Sequence, residues 1–166
     1  MDRILLICLI FSTLCIMQSQ CVSKSQIWSA AKREISSTRW SLKSCYRDLC
    51  NRNKCNIFVD DVLASVGAKR PRRSSWRYSP IGANEWGNSN SAYVLDTGCY
   101  EHVPEFTDRQ IGDVIAFPFP QGSGHVGIVS VDTRYISARE KMVEHKAIPS
   151  DRKNTIWRYQ YTKNGC

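Results

Sequence analysis

The chain has little with which to hold a metal or a phosphate. Its 166 residues include only three histidines, His102, His125 and His145. No Cys-x-x-Cys or His-x-x-x-His spacing occurs, so a zinc site is not expected, and neither is a cofactor. No glycine-rich loop has the spacing that cradles a phosphate. There is no Gly-x-Ser-x-Gly elbow, the usual setting of a serine nucleophile in an α/β-hydrolase. Asn-x-Ser/Thr is absent, so N-glycosylation is not expected to explain anything. No internal repeat, low-complexity tract or linker is visible, and no apolar run reaches the roughly 20 residues of a membrane span.

What is present begins with a processing signal. In "MDRILLICLIFSTLCIMQSQC", Arg3 is a positive start and Ile4 to Met17 an apolar run broken only by Ser12 and Thr13. Small residues at Ser19 and Cys21 place a cleavage site after Cys21, so residues 1–21 are expected to be a secretory signal and 22–166 a single domain. The alternative is an uncleaved anchor or a buried helix. Of the eight cysteines, Cys8, Cys15 and Cys21 leave with the signal. Cys45, Cys50, Cys55, Cys99 and Cys166 remain, and an odd number in a secreted chain leaves one thiol over. A cut before Cys21 would make the number even. Two disulfides are expected, and four cysteines can pair in three ways. One pairing closes a short Cys45–Cys50 loop and leaves Cys99 for Cys166; the sequence does not choose.

The formal net charge is +8. A basic secreted protein suits an anionic partner such as a bacterial surface or a membrane surface. Nucleic acid is not expected as a partner, because the signal sequence conflicts with it and no RNA-binding motif with stacking aromatics occurs. Stable membrane insertion is not expected either, and a monomer is. The sharpest basic cluster, "KRPRR" at Lys69 to Arg73, reads equally as contact with an anionic polymer or as a solvated loop.

Periodicity predicts helices first and strands later. Ser25 to Ser36 reads as a helix with Trp28, Ala31 and Ile35 on one stripe and Ser25 as its N-cap. Lys54 to Val66 reads as a second, with Asn53 as N-cap and Gly67 beyond its end. Cys55, Phe58, Val59, Val62 and Val66 form its apolar face, with Asp60 and Asp61 off it. Residues 68–110 are mostly irregular but rich in rings: Trp76, Tyr78, Trp86, Tyr93 and Tyr100. Strands are predicted from "GDVIAFPFP", "HVGIVSV", "RYIS", "MVEH" and "TIWRYQYT", the last with Trp157, Tyr159 and Tyr161 on one face. The expected class is α+β, an antiparallel sheet packed on the cysteine-bearing helix.

A cysteine in the first turn of a helix is favoured as thiolate by free backbone N–H groups and the positive end of the dipole. Cys55 is so placed. His125 opens a strand after a glycine-rich loop, where its imidazole can face a helix N-terminus. Cysteine on a helix and histidine on a neighbouring strand is the arrangement of papain-like hydrolases. A buried structural cysteine and a core histidine give the same spacing.

The blocks "KCNIFVDDVL", "YSPIGANEWGN" and "IGDVIAFPFPQGSGHVGIVS" resemble the signatures of NlpC/P60 and CHAP-type papain-like peptidoglycan amidases. They are most similar to the domesticated amidase effectors, secreted eukaryotic relatives of type VI secretion amidases. The resemblance spans about Lys54 to Ser137. It implies a papain-like NlpC/P60 core and a secreted, extracellular antibacterial hydrolase cutting peptidoglycan stem-peptide or D,D cross-link amides. Cys55 would be nucleophile, His125 general base and then acid, and the Cys55 backbone N–H part of an oxyanion hole. The third residue, which orients the histidine, would lie in "YISAREK". The usual His, Asn or Asp is missing there, leaving Ser137 or Glu140. Asp113 is expected to anchor a turn. Glu85 and Trp86 match a block bordering the substrate groove, with a packing role equally open. The rivals are a non-catalytic cationic antimicrobial and a papain-like protease acting on proteins.

Overall fold

The computed structural model describes residues 21–74, 79–160 and 165–166. The signal segment through residue 20, Trp76, Tyr78 and Tyr161 lie outside the described residues. The first helix, α1 (Lys24–Arg33), starts one residue earlier than expected and ends at Arg33 rather than Ser36. Its N-cap is Ser23, whose hydroxyl accepts from the Gln26 N–H while the Gln26 side chain accepts from the Ser23 N–H. Such a reciprocal box satisfies two donors that the helix cannot, so Ser23 outcompetes Ser25.

Helix α2 (Cys55–Ser65) follows a 3₁₀ turn at Tyr46–Asp48. Its N-cap is Lys54, not Asn53, and no side chain caps it. Lys54 instead turns inward. It is 2% exposed, and its ammonium donates to the carbonyls of Ser41, Arg52 and Leu42 at 2.9, 3.0 and 3.3 Å. Burial lowers its pKa. The helix is buried on more sides than its apolar stripe predicted: Ile57, Leu63 and Asp60 are inside as well.

Two four-residue helices, α3 (Ala83–Trp86) and α4 (Ala92–Leu95), interrupt the stretch read as irregular. The strands are β1 (Tyr100–Val103), β2 (Val114–Phe117), β3 (His125–Ser130), β4 (Arg134–Ala138), β5 (Val143–Ala147) and β6 (Thr155–Tyr159). They form one antiparallel sheet in the order β1-β6-β2-β3-β4-β5. The α+β expectation therefore holds. The unexpected strand, β1, has only one β-branched residue and pairs solely with β6, Tyr100 opposite Tyr159; its partner rather than its propensity makes it a strand.

α1 and α2 pack on one face of the sheet, against β3 and β4. The main core there joins Ile27, Trp40, Phe58, Leu63, Ile128 and Trp157. A smaller cluster covers the other face, with Ile115, Phe117, Val129, Tyr135 and Ile156. The disulfides are Cys45–Cys50 and Cys99–Cys166. Cys21 and Cys55 are free, the first exposed and the second buried. Among the described residues no helix is long and apolar enough to cross a membrane. Both disulfides accord with an oxidising compartment.

Candidate active site

The first residue of α2 meets the start of β3. Cys55 is 5% exposed. The backbone N–H groups of Val126, Asn56 and Cys55 itself act on its sulfur. The first N–H to bond inside the helix belongs to Phe58, and no side chain caps the turn before it. The early N–H groups are thus left to face an anion. The Asn56 side chain donates to the Ile81 carbonyl at 3.1 Å, tying this turn to the chain just before α3.

Burial nevertheless outweighs these donors. It pushes the Cys55 thiol above its ordinary pKa, against the pull of the three N–H groups and of Arg139. The expectation from helix position alone was the opposite sign. Loss of hydration at a nearly enclosed sulfur exceeds what the N-terminal dipole returns.

His125 opens β3 and directly precedes Val126, whose N–H reaches that sulfur. Burial, then Arg139 and Arg152, lowers its pKa from 6.5 to about 4. The thiol and the imidazole are therefore both neutral at physiological pH. The imidazole meets the Tyr135 ring edge-on, centroids 5.8 Å apart. Tyr135 also packs on Phe117 at 5.3 Å, and its hydroxyl accepts from Arg139 at 3.2 Å. Gly127 makes room for this ring: a Cβ there would sit 2.7 Å from Tyr135 and 2.6 Å from the Ile136 carbonyl. The buried His125 Nε2 has no hydrogen-bond partner among the described residues. His102 lies against Trp157 at 5.5 Å on β1, and His145 is on β5. Neither belongs to this site.

His125 stands in the wall of two clefts. One, about 530 Å³, runs along the loop after β2 and is lined by Phe117, Pro118, Phe119, Gly124, Arg152 and Lys153 among others. Phe119 is 55% exposed there. The other, about 390 Å³, opens toward β4 and β5 and is lined by Tyr135, Arg139, Lys146, Asp151 and Arg152 among others.

Ser137 is fully buried, and its hydroxyl donates to the Val126 carbonyl at 2.5 Å. Among the described residues its side-chain partners are backbone carbonyls, so it braces the strand beside His125 and does not bond the imidazole. Glu140 is exposed. Trp86 is 3% exposed, stacks edge-on with Tyr100 at 5.4 Å, and its carbonyl accepts from the Trp157 indole at 2.7 Å. It is a core ring and lines neither cleft. Glu85 accepts from Arg73 at 2.7 and 2.8 Å and from the Gly82 N–H. Asp113 anchors its turn, accepting from the Gln110 N–H and from Arg158.

Two arginines of the basic run at 69–73 turn to an internal carboxylate, while Lys69 and Arg73 stay exposed. Arg70 and Arg72 reach Asp60 at 3.3 Å each, and Arg47 joins them at 3.5 Å. Asp60, predicted off the apolar face, is 4% exposed at the centre of this cluster.

Three groups at the site were not singled out from sequence. Tyr135 and Arg139 carry no spacing signal; strand pairing brings them to His125. Asn84 lies inside a quoted block, yet its role depends on a distant loop. Its amide donates to the carbonyls of Phe119 and Gly122 at 3.1 and 2.7 Å and accepts from the Phe119 N–H at 2.8 Å. It thereby fixes the loop that floors the larger cleft. Among the described residues no cluster of His, Cys, Asp and Glu could hold a metal ion.

No protein-family model matches the chain. No curated protein sequence matches it. Among solved structures it is similar to a hypothetical invasion protein of Mycobacterium tuberculosis, with a TM-score of 0.54 and 16% identity. The match covers 82% of this chain and 61% of that one, so the chain spans less than two thirds of that protein's length. At this identity the likeness is one of fold.

Proposed function

We propose that the protein is a secreted cysteine amidase with a papain-like core of the NlpC/P60 kind. Its substrate is bacterial peptidoglycan, at stem-peptide or D,D cross-link amides. The reading rests on one observation above all. Four cysteines are spent in two disulfides, while the buried free one, Cys55, sits at the uncapped start of a helix against the strand that begins with His125. A resting thiol–imidazole pair accords with general-base catalysis. The signal-like N-terminus and the two disulfides support an extracellular site of action.

The chemistry follows from these atoms. As Cys55 Sγ attacks the amide carbonyl, neutral His125 takes the thiol proton and a C–S bond forms. The first-turn N–H groups of α2 hold the oxyanion, an interaction worth about 3 kcal/mol per donor in comparable sites. Collapse breaks the C–N bond, and the His125 imidazolium protonates the departing amine. Water then gives a proton to His125 and attacks the thioester. The C–S bond breaks, the acid product leaves, and the thiol regains its proton.

Replacing Cys55 tests this. C55A is expected to lose release of soluble fragments from purified sacculi by at least about 10³-fold, with an unchanged circular-dichroism spectrum. Full bacterial killing by C55A would overturn the amidase reading. Digestion of casein with sacculi left intact would overturn its substrate. A second reading, a cationic binder without catalysis, has one observation in its favour: burial disfavours both charged forms of the Cys55–His125 pair.

A further inference from the structure

We propose that the cleft between His125 and β5 is a subsite for a free carboxylate of the substrate, held by Arg139, Lys146 and Arg152. The proposal rests on the amidase reading for which bond lies at Cys55, though not for the binding itself.

The two clefts that share His125 differ in chemistry. The larger presents Phe117, Pro118 and Phe119. The smaller, about 390 Å³, has three cationic side chains and a single carboxylate, Asp151, in its wall. Lys146 lies 3.1 Å from Glu144, and Arg139 lies 4.0 Å from the same oxygen, so one carboxylate serves two cations. Arg152 makes no ion pair with any described residue, and it lines both clefts. The site is therefore short of negative charge.

Its position relates this deficit to the chemistry. The charges of Arg139 and Arg152 are both felt at the imidazole. Arg139 is held toward the cleft by its bond to Tyr135 Oη. A group bound among these cations lies close to the histidine that must protonate the leaving amine. A carboxylate matches: it takes charge-assisted hydrogen bonds from guanidinium and ammonium donors, and the apolar cleft takes the uncharged remainder. The ligand is thus an acidic peptide whose free carboxylate is near the scissile amide, rather than a neutral or amidated one. Phosphate shares the charge and is the competing source.

The test uses two synthetic stem peptides that differ only in whether that carboxylate is free or a carboxamide, and reads binding apart from turnover. Binding is measured on full-length C55A by fluorescence anisotropy. The acid form is expected to bind about tenfold more tightly than the amide, consistent with loss of a charged partner. In C55A/R152Q and C55A/K146Q the acid form should lose more affinity than the amide, so that the difference shrinks toward onefold. Equal binding of the two peptides to C55A overturns the subsite, as does an equal loss of both in R152Q. Displacement of the acid peptide by inorganic phosphate at concentrations below the peptide's own Kd would reassign the site to phosphate and overturn the carboxylate. With active protein, the same preference should appear in kcat/KM. Preferential binding without cleavage of either peptide would overturn the amidase reading and leave the subsite standing.

Discussion

Two arginine-rich regions of this molecule carry similar charge and use it differently. Around Asp60, three half-buried guanidiniums converge on a buried carboxylate that α2 supplies. Around His125, Arg139, Lys146 and Arg152 line a cleft with too few carboxylates of its own. The first region is closed and the second open. A net charge of +8 conceals this division, since a basic residue that already has an internal partner does little to attract an external anion. The notable basic run, Lys69 to Arg73, gives two of its four basic residues, Arg70 and Arg72, to the closed region. The cations at the cleft come singly from the residue after β4, from β5 and from the turn before β6.

Substitution should separate the two. D60A leaves three arginines without their shared partner and is expected to cost about 3–5 kcal/mol, read from urea unfolding. R152A should change stability by less than about 0.5 kcal/mol while lowering turnover of acidic substrate. If both variants lose only stability, the division is false.

Acid offers a second separation, of about 3 kcal/mol. The His125 pKa is lower in the folded chain, falling from 6.5 to about 4, and each unit is worth about 1.4 kcal/mol. The unfolded chain then takes up the proton first as pH falls. Stability attributable to His125 is present above pH 6.5 and is lost as pH drops from 6.5 through about 4. H125Q should flatten that part of the stability–pH curve. If His125 is the base, the acid limb of kcat/KM is expected near pH 4 rather than near 6.5; an acid limb near 6.5 would show that burial, Arg139 and Arg152 together do not hold the imidazole's pKa down.

Salt gives the smallest effect. At 1 M ionic strength the screening length falls to about 3 Å. Turnover of acidic substrate should drop several-fold, with little change in the unfolding midpoint difference between wild type and D60A. An equal response in both would erase the contrast.

The parts of this site legible in the sequence are those with local causes. The helix from Cys55 shows in its periodicity. The strand from His125 shows in its β-branched run after a glycine turn. The pairing Cys45–Cys50 with Cys99–Cys166 is one of three that spacing left open. What stayed hidden depends on distant partners. Asp60 reads as a solvent-facing residue until Arg47, Arg70 and Arg72 fold over it. Trp86 reads equally as a groove or a packing ring until Tyr100 and Trp157 enclose it. Tyr135 and Arg139 acquire their positions from strand register, and Lys54 takes the cap position because loop carbonyls 2 to 13 residues away receive its ammonium. The sign of the Cys55 pKa shift was missed for the same reason: the helix dipole is local, whereas burial is set by everything packed around the sulfur.

The short Cys45–Cys50 disulfide has a bearing on how the protein must be made. It closes the loop in which Arg47 and Asp48 adopt left-handed backbone, with φ of 55° and 62°. That loop delivers Arg47 to Asp60 and Asp61. In a reducing cytosol the crosslink would be absent and Arg47 less firmly held, leaving the buried carboxylate dependent on Arg70 and Arg72. Recombinant production therefore belongs in an oxidising compartment, and material refolded without oxidant should be sensitive to proteolysis in this loop first.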